Sequence, residues 1–248
     1  MADFRHYILT RFNAGLYNRA AELGIVPDQW MEHRLALFTR ITLPSIAGQS
    51  CRNFTWLVLL DKETPQRYLR LFEAMDCPNL RLVYTGKGPG TWFQGIEPGQ
   101  YDLITTRIDN DDAFHADTVR AIQDAWRAEG ARRTKPWAIV LPFGLIYDLV
   151  GRQGWLMEYW FNNCPTLVED AEGASTIWQW QHDSIPAHVS KCHLTDKPYW
   201  FQTVHGQNLC NIVDSTNPFR IVHKELPVRP EHLRHFSIDP DALPAPAR

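Results

Sequence analysis

Three carboxylates stand within four residues in the stretch "RIDNDDAFH", at Asp109, Asp111 and Asp112. Like charges this close repel one another, so either they face water or something positive holds them together. At an extended strand end, residues two apart project to the same side. Asp109 and Asp111 can therefore converge on one cation while Asp112 is expected to turn away and cap the helix that follows. A hard divalent cation such as Mg2+ or Mn2+ takes carboxylate oxygens and leaves positions open for substrate phosphates. The chemistry this suggests is a clamp on a diphosphate leaving group. A calcium loop of the EF-hand type fails, because the sixth position from Asp109 is Phe114 and the twelfth is Arg120. A solvated acidic turn that caps a helix is the alternative that needs no ligand.

The elements that must position these residues alternate between strand and helix, the pattern of an α/β domain with a mostly parallel central sheet flanked by helices. Residues 6–13 read as the opening strand. Residues 27–49 carry a helical apolar stripe, with Pro44 limiting its length. The run "FTWLVLLD", 54–61, is continuous and apolar, as expected of a strand buried on both faces. A helix over 64–75 is predicted with Thr64 at its N-cap, a strand over 79–86, and a strand over 101–109 leading into the acidic stretch. A helix over 112–130 and a strand or bent pair over 137–150 follow. Beyond residue 150 the alternation fades into a region rich in Trp, His, Asn and Pro. The whole of 1–248 reads as one domain: a nucleotide-binding part to about 150, an acceptor-side part to about 235, and a frayed tail over 236–248.

Composition narrows the classes. With 44% hydrophobic and 21% charged residues the chain is globular rather than disordered. A formal net charge of -3 argues against a nucleic-acid partner bound through a basic surface. Five cysteines, at 51, 77, 164, 192 and 210, form no close pair of zinc or redox type, which points to reduced thiols and a cytoplasmic location. The N-terminal stretch has neither signal-peptide nor membrane-span character, so any membrane contact is expected to be peripheral.

"TTRIDNDDAFH", with "RNFTWLVLLDKETP" upstream and "WFQTVHGQNLCN" downstream, resembles the bacterial putative rhamnosyltransferase family over roughly residues 5–225. The resemblance implies a GT-A-like nucleotide-diphospho-sugar transferase fold with a DxD motif at Asp109-Asn110-Asp111. It implies that Asp111 is the main ligand of a Mn2+ or Mg2+ ion and that Asp109 serves both the metal and the donor's ribose. His205 matches a third protein ligand, with His182, His188 and His193 as substitutes nearby. Asp61 matches an acidic residue near the base or ribose, and Thr10, Arg11 and Phe12 end the strand beside the nucleobase. Arg107, on the same side of its strand as Asp109, can orient that carboxylate. The implied partners are a UDP-, dTDP- or GDP-sugar and a glycan or glycoconjugate acceptor, with rhamnose as the sugar of the family label.

Inverting transfer needs a carboxylate that takes the acceptor's proton, and Asp183 and then Glu169 are the candidates. Retaining transfer needs no such base. Trp155, Trp160, Trp178, Trp180 and Trp200 are candidate walls for a sugar ring. A metal-dependent phosphoester hydrolase and a non-catalytic carbohydrate-binding protein are the rival readings. A haloacid-dehalogenase-like phosphatase is disfavoured by the residues that follow the acidic pair.

Overall fold

Continuous apolar runs demand cover on both faces, and the central strands of this chain receive it. The computed structural model describes residues 3–16, 22, 24–85, 95–208 and 211–244. A seven-stranded sheet has the order β10-β6-β9-β4-β1-β2-β3. Its strands are β1 (Phe4–Arg11), β2 (Thr55–Asp61), β3 (Leu80–Thr85), β4 (Asp102–Arg107), β6 (Trp137–Val140), β9 (Thr166–Asp170) and β10 (Ser190–His193). Neighbours are parallel except at β9, which runs against both β4 and β6. A five-stranded sheet of order β12-β8-β7-β11-β5 holds β5 (Ala113–Phe114), β7 (Phe143–Asp148), β8 (Gln153–Tyr159), β11 (Trp200–Val204) and β12 (Arg220–Pro227).

The expected mostly parallel sheet with flanking helices is what the protein has. One face of β1 and β2 packs on the helix Pro27–Leu37 and its continuation through an aromatic cluster. In that cluster Phe12 lies 4.8 Å from Phe72 and Phe38 lies 5.2 Å from Trp56, centroid to centroid. Such contacts place much of the aromatic content in the core, where edge-on and offset ring packing is favourable.

Strand order decides where a ligand can sit. From β1 the chain steps to β2 and β3 on one side, while β4 lies on the other. The strand order therefore reverses between β1 and β4, and the crevice outside the carboxyl ends of such strands is the natural ligand site of an open α/β sheet. Arg11 and Arg107 end those two strands.

Several local expectations are corrected. Pro44 does not stop the helix: the backbone widens into a π turn, Phe38–Thr42, and resumes as helix over Leu43–Ala47. The wider turn accommodates a proline that lacks an N–H. Thr64 is not a cap: its hydroxyl donates to the Asp61 carbonyl at 2.6 Å and accepts from Asn13 at 3.0 Å, and the helix is Gln66–Glu73. Asp112 does not cap the next helix, which begins at Thr118 after the two-residue strand β5. The region after 150 is rich in strands, which are shared between the two sheets. Nor is the tail loose throughout, since Phe236, Ile238 and Leu243 are buried against β7 and β11. Cys51, Cys77, Cys164 and Cys192 are free thiols, and Cys210 lies outside the described residues.

Two buried positions yield stability tests. Gly144 of β7 faces Trp200 of β11, and a Cβ there would lie 2.0 Å from the ring, which is itself anchored by a 2.7 Å bond to the Leu141 carbonyl. Overpacking of this kind costs about 1–3 kcal/mol, so Gly144→Ala should lower the thermal midpoint by several degrees in a calorimetric scan. His6 is buried with Nε2 donating to Thr106 at 2.8 Å and Nδ1 accepting from Gln123 at 3.3 Å, an arrangement for a neutral ring. Burial lowers its pKa to about 3. A depressed folded-state value stabilises above the unfolded pKa of roughly 6.5 and is lost as pH falls toward the folded one. Unfolding free energy should therefore decline as pH drops below about 6.5, and His6→Gln should flatten that decline in urea titrations across the interval.

Candidate functional site

At the carboxyl ends of β1 and β4 lies a cavity of about 470 Å3 whose lining includes Arg11, Phe12, Trp30, Arg34, Arg107, Asp109, Asn110, Asp111, Asn163, Trp178, Trp180 and His182. The acidic stretch enters it directly from β4, because Ile108 still bonds to the Leu9 carbonyl of β1 at 3.2 Å before the chain turns. Each carboxylate then meets a different partner set.

Asp109, half-buried, receives Arg107 on both oxygens, with Nη2 3.1 Å from each and Nε 3.2 Å from Oδ1. The expected orienting role of Arg107 is thus realised as a fork on the carboxylate. Asp111 is 4% exposed, and its Oδ2 lies 2.7 Å from Arg34 Nη1 and 3.0 Å from His205 Nε2. Burial alone would raise the Asp111 pKa, yet the Arg34 charge and the His205 hydrogen bond bring it below the ordinary value. Asn110 shares Arg34 Nη1 with Asp111. Its carbonyl accepts from Arg34 at 3.0 Å and its amide donates to the Phe12 carbonyl at 2.9 Å, tying the acidic turn to the end of β1.

Asp112 has no exposed surface and accepts from Asn163 Nδ2 at 2.5 Å and from the Thr203 amide at 3.2 Å. Burial, followed by the charges of Asp111 and Asp109, pushes its carboxyl well above the usual range. It braces the floor of the site rather than facing the cavity.

His205 arrives from the end of β11 and is fully buried beside Asp111. Its Nδ1 lies 3.1 Å from His33 Nε2, and Gly206, at φ +82, turns the chain so that Asn208 can bond back to the Thr203 carbonyl. A positive φ is the conformation that glycine adopts without penalty. Desolvation, then the neighbouring His205, lowers the His33 pKa to about 4.

Other expected residues are placed elsewhere. Thr10 is buried with its hydroxyl accepting from Trp56 Nε1 at 2.9 Å, so it faces the core rather than the cavity. Asp61 accepts from the amides of Gly15 and Glu63 at 3.0 and 2.9 Å and shapes a turn. Glu169 accepts from the amides of Ser175 and Thr176 at 3.0 and 2.9 Å and does not line the cavity. Asp183 is exposed, next in sequence to the cavity-lining Gln181 and His182. Trp200 is core. His193 packs on Trp160, 4.9 Å away, and His188 stacks on Trp180 at 5.0 Å.

Arg34, Asn163 and Asn208 were not singled out by the sequence reading. Arg34 did carry a signal: it interrupts the apolar face of its helix four residues after Trp30, where a basic side chain needs a buried partner. Nothing local marks the two asparagines.

Among the described residues no set of three His, Cys, Asp or Glu side chains converges as a metal cage. Asp111 and His205 do converge, whereas Asp109 is turned onto Arg107. One carboxylate and one imidazole are a donor set that fits Mn2+ or Mg2+ when phosphate oxygens and water fill the other positions.

The family described as "Putative rhamnosyl transferase" matches residues 13–216. No curated protein matches the chain. Solved structures of S. aureus TarS are similar to it. TarS 1-349 in complex with UDP is 14% identical, covers 82% of this chain and 60% of its own, and has a TM-score of 0.46. TarS 1-349 in complex with UDP-GlcNAc is 12% identical over 83% of this chain and 60% of its own, at a TM-score of 0.47. The chain thus spans about 60% of the TarS 1-349 chains it matches.

The Arg34 and Asp111 side chains are 11% and 6% exposed, so solvent screens their ion pair little. Removing one partner of a buried pair costs about 3–5 kcal/mol. Arg34→Met should lower the unfolding free energy by that order in denaturant titrations. Adding Asp111→Asn to it should recover a large part of the loss, because the uncompensated charge disappears.

Proposed function

The chain belongs to the family described as "Putative rhamnosyl transferase", and on that premise we propose that it is a metal-dependent glycosyltransferase acting on a nucleotide-sugar donor and a glycan or glycoconjugate acceptor. The observation that carries the reading is the 3.0 Å contact between Asp111, which lines the cavity at the switch point of the sheet, and the buried His205, 94 residues away in sequence. Asp111 and His205 would hold a Mn2+ or Mg2+ ion, with Asp109 close by on Arg107. When bound, such an ion stabilises negative charge on the departing diphosphate.

The chain's own groups have separable tasks in this reading. Arg11, at the end of β1, and Arg107, at the end of β4, line the cavity with guanidiniums suited to phosphate oxygens. Arg34 holds Asp111 ionised inside the protein, so the carboxylate is ready for a cation without titrating first. Trp30 and Trp180 contribute aromatic lining on which a sugar ring can pack.

For proton removal from an acceptor hydroxyl, Asp183 is the carboxylate retained from the sequence, beside the rim. His182 joins it as a second candidate. Its Nδ1 donates to the Phe161 carbonyl at 2.5 Å, which leaves the Nε2 lone pair as an acceptor, and burial lowers its pKa so that the ring is neutral. Rhamnose is the sugar suggested by the family description. A cytoplasmic location is in keeping with the free thiols, and no helix among the described residues is long and apolar enough to cross a membrane.

Calorimetric titration of UDP, dTDP and GDP into the protein, each with Mn2+ and with EDTA, tests the reading. One of the three should bind with a metal requirement, and Asp111→Asn should weaken it at least about tenfold, a loss of roughly 1.4 kcal/mol. Absence of binding by all three under both conditions would overturn the donor site.

A further inference from the structure

Trp178 is not a free wall for a sugar ring. Two guanidinium carbons, those of Arg11 and Arg107, each lie 4.5 Å from its ring centre. These arginines end neighbouring parallel strands, so their like charges are brought together by the sheet itself. The negative face of an indole attracts both cations and offsets their mutual repulsion. Asp109 adds its own fork to Arg107.

The indole reaches this position through a turn stapled at several points. Glu169, at the end of β9 and buried, accepts the amides of Ser175 and Thr176. Thr176 is buried at φ +63, a conformation that a β-branched residue adopts only when its surroundings dictate it. Its hydroxyl accepts from the Trp178 amide at 3.4 Å, and the Ile177 amide donates to Thr105 of β4 at 2.9 Å. The strain, the buried carboxylate and the bond to β4 all converge on the orientation of one side chain.

We propose that Trp178 is a positioning residue that holds Arg11 and Arg107 side by side as a clamp for the diphosphate of a nucleotide donor, with Glu169 fixing the turn from behind. Paired guanidinium forks match phosphate oxygens in geometry, and the same cavity wall carries Asp111, where a cation would meet the same diphosphate. Three guanidiniums, Arg11, Arg34 and Arg107, line this cavity against two carboxylates, Asp109 and Asp111, so its charge suits an anion rather than a neutral sugar alone. The inference rests on the donor-site reading above.

The test separates the diphosphate from the rest of the donor. UDP, dTDP and GDP are titrated calorimetrically into the unaltered protein, Trp178→Ala, Trp178→Phe and Glu169→Gln. Binding of uridine, thymidine and guanosine is followed in parallel by ligand-observed NMR. Trp178→Ala should weaken the nucleoside diphosphate about tenfold and leave the matching nucleoside unchanged, Trp178→Phe should restore most of the loss, and Glu169→Gln should fall between. Should the alanine variant fail to fold, Trp178→Leu, which fills the space without a π face, makes the same contrast with phenylalanine. Equal diphosphate affinity in the variants, or a parallel loss of nucleoside and diphosphate, overturns the clamp. Failure of the unaltered protein to bind any of the six compounds overturns the donor site itself, and the clamp with it.

Discussion

A carboxylate that stays ionised inside a protein dictates its surroundings, and Asp111 is such a group. It has lost nearly all contact with water, and the desolvation penalty is offset by Arg34 on one side and His205 on the other, both on a single oxygen. Arg34 requires the helix Pro27–Leu37 to lie across the strand ends, and His205 requires β11 to finish beside them. The helix, the acidic turn and the second sheet are thereby held in one register by an electrostatic requirement rather than by packing alone.

The neighbouring acids show how one sequence cluster is resolved into distinct chemical states. Asp109 is matched by a guanidinium fork near the surface. Asp112 is enclosed with an amide and a backbone N–H for partners, and burial, reinforced by its two acidic neighbours, drives it toward the protonated form. Environment, not residue type, sets the difference. Three aspartates within four positions can coexist because only two of them face a cation.

What was legible in the sequence follows from the range of the forces involved. The strand over Thr55–Asp61 and the placement of the acidic stretch after β4 are local consequences of apolar runs and turns, and both were readable. The pairing of Asp111 with His205 was reached through family resemblance, since no local pattern connects positions so far apart. The roles of Thr64 and Asp112 were misread for a shared reason. Each polar side chain is satisfied by a partner that only the tertiary structure supplies, Asn13 and Asn163, and the turn after β9 that engages Glu169 was equally hidden. Two strands of the second sheet were faint because β8 mixes buried with partly exposed residues and β12 buries none, a weaker signature than an uninterrupted apolar run.

The two-residue strand β5 has a wider consequence. It follows the acidic turn at once, and it pairs with β11 at the edge of the second sheet, whereas β4, just before the turn, belongs to the first. Residues 108–112 are thus the seam where the two sheets are sewn together. The cavity-lining Asp109, Asn110 and Asp111 lie within that seam, so a molecule held by them would oppose the parting of one sheet from the other, and local opening of either sheet would loosen its grip.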